Sequence, residues 1–304
     1  MVGGQALPRP PAAGIRRTGL ARAPVDPTGP PMTASSVAPH PTADPAAPCA
    51  AAYARFAAVF PALRVHLAPP RSGSGWVPVD RLLADPAVRT RLLAAEADRG
   101  LARHGRPLRP DVAAGFWLHH YAWPVCLLFT LPWFLEDRVP RLPVERVSVR
   151  RTGPVGLGEL TARPDGFACL PGDPLAGRPG ARVVADRAAL DHELRTAVAE
   201  HLGPVLDAFR PALRRGPRTL WGLATDELVE GLWYAGGLLG EERRAVRALA
   251  GLLPGGTAPF TGGADFHPPQ PPTARTRVSC CLHYTVRPAE TCFGCPRSRT
   301  CGAR

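Results

Sequence analysis

Four cysteines close the chain as Cys280-Cys281-x10-Cys292-x2-Cys295, and no other feature restricts what this sequence can become so sharply. Thiolates are soft ligands, and four gathered together select zinc or an iron–sulfur cluster. A C-x2-C pair wraps one metal, because its short turn aims both sulfurs at one point. Adjacent cysteines do this badly, since neighbouring side chains in an extended segment point to opposite faces. A zinc ribbon carries C-x2-C twice. One adjacent pair with one C-x2-C fits a wider, two-iron core better, with a zinc ion or disulfides as the alternatives. The terminal unit, residues 275–304, is too short for a hydrophobic core of its own, so the metal is expected to serve as its core. Arg275, Arg277, Arg287, Arg297, Arg299 and Arg304 surround the motif, against one acid, Glu290. Such charge either stabilises the reduced, more negative centre and raises its potential or forms a solvated basic tail.

The spacing, the Gly294-Cys295-Pro296 ending and Tyr284 between the pairs resemble the cluster-binding domain of the FhuF-type ferric-siderophore reductases. His201-Leu-Gly-Pro-Val-Leu and Arg218-Thr-Leu-Trp221-Gly resemble further segments of that family. The resemblance implies that Cys280, Cys281, Cys292 and Cys295 hold a 2Fe–2S cluster. It further implies a reductase that passes one electron to Fe(III) in a siderophore, of hydroxamate type by expectation. Its partners would be the ferric siderophore and a cellular electron donor, with the helical part presenting the chelate. Two other readings stay open. One is a non-enzymatic binding module in which the same cysteines hold a structural zinc. The other is a biosynthetic protein, which would need an ATP site. Gly153-Pro-Val-Gly156-Leu-Gly158 lacks the strand–turn–helix context of a phosphate-cradling loop.

The formal charge is +12, carried by arginine alone, because the chain has no lysine. With no asparagine and one isoleucine, this bias reads as a GC-rich coding sequence more than as a polyanion-binding surface. No zinc-finger, RNA-binding or helix-turn-helix signature accompanies it, so nucleic acid is not expected as a partner. No apolar stretch follows the N-terminal arginines as a signal peptide requires, and Met32 offers a second start. Free thiols then point to the cytoplasm. The basic balance leaves peripheral contact with the inner membrane face open.

The fold class expected is α+β: a mainly helical domain over residues 49–262 with a small antiparallel sheet, then a Pro-rich linker at 263–274 and a 2Fe–2S domain at 275–304. Residues 1–48 hold eleven prolines and read as a disordered tail. Helices are expected from Ala50 to Pro61, from the Asp85 cap to Gly105, from the Asp186 cap with a kink at Gly203-Pro204, from Leu220, and over Glu241–Leu253. The apolar run 116–135 carries His119, His120, Pro124 and Pro132, and reads as a buried core segment shorter than a membrane span. Residues 142–184 alternate and read as short strands. Cys126 reads as core, Cys301 as a spare thiol and His283 as an exposed loop histidine. His119 and His120 diverge by about 100° on a helix and read as structural. Trp221 and Trp233 read as packing residues, and Asp226, Glu227 and Glu230 as a solvated helix face.

Overall fold

The computed structural model describes residues 47–152, 157–267, 274–290, 292 and 294–297. The N-terminal tail up to residue 46, linker residues 268–273, and Arg299, Cys301 and Arg304 lie outside them. The described residues form one compact unit. It begins with α1 (Ala50–Val59), β1 (Arg64–His66), β2 (Trp76–Pro78), α2 (Val79–Ala84), α3 (Pro86–His104) and α4 (Pro110–Glu136). A strand-rich segment follows: β3 (Arg138–Arg141), β4 (Val147–Arg151), β5 (Leu157–Ala162), β6 (Gly166–Cys169) and β7 (Ala181–Val183). The chain returns to helix in α5 (Arg187–Leu213), α6 (Pro217–Leu238) and α7 (Glu242–Leu252). It ends in a ribbon, β8 (Phe266–His267) and β9 (Ala274–Arg275).

Local chemistry sets these boundaries. The Asp85 carboxylate accepts from the Ala87 amide at 2.8 Å, Pro86 fills the first helical position, and Gly105 ends α3 in the left-handed region. Asp186 caps α5 in the same way, accepting from the Ala189 amide. Pro204 and Pro211 lie inside α5, which runs on as one helix. The fold is α+β, as the sequence indicates, but the strands do not form one antiparallel sheet. Among the described residues there are two mixed sheets, β1-β5-β4-β2 and β3-β6-β7, and the edge strands β1 and β7 pair in parallel with β5 and β6. Each edge strand has three residues, too few to show alternation in the sequence.

α4 is the axis of the core and packs on α6, α5, α3 and α1. It is long and apolar enough to cross a membrane by length and composition, yet 78% of its most apolar window is buried inside the protein. It runs longer than the sequence suggests, because Pro124 and Pro132 sit inside it without ending it. Pro132 has no N–H to offer the carbonyl of Leu128. The buried Tyr53 hydroxyl donates to that carbonyl at 2.6 Å. Tyr53→Phe should therefore leave Leu128 unsatisfied and cost about 1–3 kcal/mol. Adding Pro132→Ala should restore a backbone donor and recover part of the loss in a denaturation-based double-mutant cycle.

His201 on α5 is fully buried. Its Nδ1–H donates to the Leu142 carbonyl at 2.8 Å, so Nε2 accepts from the Tyr121 hydroxyl at 2.9 Å. Burial holds this imidazole down at about 4, from an ordinary 6.5. The native state keeps His201 neutral while the unfolded chain takes up a proton below pH 6.5. Its contribution is therefore present above that pH and is lost as the pH falls toward 4, by ~3 kcal/mol at most. Wild type should lose more stability than His201→Gln between pH 7 and 5 in parallel denaturation curves.

Candidate metal centre

The cysteine segment is seated on α6 by a buried ionic anchor. The Arg275 and Asp226 side chains are both 0% exposed. Arg275 donates from Nη2 to Asp226 at 2.9 Å, from Nη1 to Glu230 at 2.9 Å and from Nε to the Ala264 carbonyl at 3.1 Å. Asp226 then takes the next turn of chain: it accepts from the amides of Val278 and Ser279, each at 2.8 Å, and from the Ser279 hydroxyl at 2.9 Å. A carboxylate with four such donors fixes the backbone immediately before Cys280. Val278 is also gripped sterically. A Cβ on Gly262, whose φ is +78°, would lie 2.6 Å from its Cγ2, so only glycine permits that approach.

Asp226, Glu227 and Glu230 are thus not a solvated face: the first two are buried and the third is nearly so. Arg277 donates to Glu227 at 2.6 Å and to Glu230 at 3.0 Å, and His119 pairs with Glu227. Burial works against ionised Glu227, but His119 and Arg277 hold its carboxyl below the usual range. Burial pushes Glu230 up to about 7, against the pull of Arg277 and with the push of Glu227. Of the arginines around the motif, Arg275 and Arg277 are therefore matched by buried or part-buried carboxylates. Arg287 and Arg297 are exposed, and Arg297 lies over the Tyr284 ring at 3.9 Å.

Beyond Cys281 the chain turns through Leu282 in the left-handed region into a short 3-10 turn, His283–Thr285. Leu282 and Val286 bury themselves against Leu108, Val112 and Ala113, where α3 gives way to α4, and Cys280 and Tyr284 pack on the same cluster. The Cys292–Cys295 turn docks back on the anchor strand. Gly294 has φ +68°, its carbonyl accepts from the Arg277 amide at 2.8 Å, and a Cβ there would stand 2.6 Å from the Arg275 carbonyl. The Cys295 amide closes the turn on the Cys292 carbonyl at 3.1 Å.

This folding brings the Cys281 and Cys292 side chains into contact and places Cys295 in the same turn as Cys292, while Cys280 packs on the apolar cluster. The Cys281 and Cys292 sulfurs share a hydrogen bond, which pulls Cys281 below the usual thiol range against the effect of burial. The His283 amide, His119 and Arg277 add to the pull. Cys292, the donor in that bond, is pushed up. Among the described residues no three His, Cys, Asp or Glu side chains converge to hold one metal ion. A two-iron centre asks for two pairs of thiolates instead, and a soft, all-sulfur donor set fits it. His283 is part-buried and lies 3.7 Å from Glu290.

Sequence reasoning missed His119 and the three carboxylates of α6. Between Leu220 and Leu238 those carboxylates are the only charges. An apolar helix with one acidic face and a distant excess of arginine was the available signal.

No curated protein matches the chain. Residues 277–297 match the family model of the FhuF 2Fe-2S C-terminal domain, which makes the segment anchored by Asp226 a FhuF-type cluster-binding domain with a 2Fe–2S cluster as its cofactor.

Proposed function

We propose that this protein is a ferric-siderophore reductase in which Cys280, Cys281, Cys292 and Cys295 hold the 2Fe–2S cluster. The observation that carries this reading is the contact between the Cys281 and Cys292 sulfurs, one from each cysteine pair, in a segment that matches the FhuF 2Fe-2S domain model. When bound, the cluster supplies one-electron chemistry at mild potentials. The protein's own task is positional and electrostatic. Asp226 and Arg275 fix the strand that enters the site, and Leu282 and Val286 pin the loop between the two cysteine pairs. The sulfurs of Cys281 and Cys292, one from each pair, lie within hydrogen-bond reach of each other. The substrate is Fe(III) held by hard oxygen donors, which grip Fe(II) far less tightly, so a single electron suffices to release the metal. A reduced cellular one-electron carrier would supply it, in the cytoplasm.

Purified protein should be reddish-brown, with a rhombic EPR signal on reduction by dithionite. Adding a ferric chelate to the reduced protein should bleach that signal and release Fe(II). Colourless protein with stoichiometric zinc would support the structural-zinc reading instead.

A further inference from the structure

Beside the cysteine loop lies a cavity of about 380 Å³ lined by three arginines, three histidines and two carboxylates. One side is the C-terminal half of α3, which supplies Arg99, Arg103 and His104. The other is the loop between Cys281 and Cys292, which supplies His283 and Arg287, while His120 and Phe116 of α4 form the back. Two acids also line it, and their charge is already engaged. Glu96 is 3% exposed and is held by Arg99 at 2.9 Å, Arg151 at 2.7 Å and His120 at 3.2 Å. Glu290, at the rim, is 61% exposed and 3.8 Å from Arg287. Among the described residues no carboxylate pairs with Arg103. The Arg99 Nε is buried without a hydrogen-bond acceptor. Burial, then the cations Arg103, Arg287 and His283, hold the His104 imidazole below its ordinary value. Its ring lies 6.1 Å from the His283 ring and 6.3 Å from the Phe116 ring, so the side chains of α3, α4 and the cysteine loop meet around a small space.

Converging arginines in a concave site focus a positive field and match oxygen anions by paired N–H donors. We infer that this cavity binds the ferric chelate, and that its preferred ligand is polyanionic, with carboxylate or catecholate oxygens, rather than an uncharged trihydroxamate. The inference rests on the reductase reading and sharpens it. Phe116 offers an apolar face to an aromatic or aliphatic part of the ligand, and the volume lies in the usual range for small-molecule sites. Because the loop joining the two cysteine pairs is one wall, a chelate here sits next to the cluster ligands.

Gallium(III) chelates separate binding from reduction, since gallium(III) accepts no electron under these conditions. The full-length, cluster-containing protein is titrated with the gallium complex of a hexadentate tris-catecholate and with that of a linear trihydroxamate. The anionic complex should bind about tenfold or more tightly, as expected for two charge-assisted contacts. The Arg103→Gln/Arg287→Gln double variant should lose that preference. Arg103→Gln alone, on α3 and outside the cysteine loop, should lose part of it with iron content unchanged. Equal affinity for both complexes, or a preference untouched by either variant, overturns the inference. The reductase reading is tested apart, by stopped-flow reoxidation of dithionite-reduced protein with the two ferric complexes. If neither reoxidises it, that reading fails, while an intact gallium preference still supports an anion site.

Discussion

Asp226→Ala is expected to destabilise the protein by about 3–5 kcal/mol, the usual result of removing one partner of a buried ion pair, and to strip most of its iron. The Arg275 guanidinium has no exposed surface and would lose its main counter-charge. The Val278 and Ser279 amides would lose their acceptor as well. Each orphaned buried donor adds about 1–3 kcal/mol if nothing moves. The sum exceeds what the segment gains by staying docked, so it should detach and let water solvate Arg275. Detachment takes Cys280 with it, one residue past Ser279. Denaturant titration and iron per protein measure the two effects. The pair Asp226→Leu with Arg275→Met separates them. Removing both charges should recover much of the stability, but the amides of 278 and 279 still lack an acceptor, so iron should stay low. Retained iron and a loss below about 1 kcal/mol in Asp226→Ala, the scale of an exposed pair, would show that the anchor does not position the loop.

Much of the architecture was legible because its causes are local. Asp85, Pro86 and Gly105 mark both ends of α3, Asp186 marks the start of α5, and alternation at Val147 and Val149 marks β4. The FhuF-type segment was legible for the same reason, as cysteine spacing is a local fact. What escaped depends on partners far along the chain. Asp226 lies forty-nine residues from Arg275, and read alone, three acids on a helix look like a surface. α4 looked shorter than it is because the donor that offsets Pro132 is Tyr53, on another helix. The arginine-lined cavity joins α3 to the cysteine loop, and neither half shows it alone.

Cys281→Ser should remove the colour of the protein and lower its iron content by on the order of tenfold or more, because a soft sulfur donor is replaced by a serine hydroxyl that does not ionise at neutral pH. Cys301→Ser, outside the C-C-x10-C-x2-C spacing, should change neither. The Cys281→Ser protein should nonetheless keep its helical circular dichroism and a cooperative unfolding transition. Its C-terminal segment is tied to the helices by Arg275, Asp226, Leu282 and Val286, and none of these needs a metal. The Cys295 amide is different, since its hydrogen bond closes a turn whose two thiols the cluster would hold together. Hydrogen exchange should then stay slow at Val278 and Ser279 and become fast at Cys295. Fast exchange at all three amides would mean that the metal, and not Asp226, holds the segment in place.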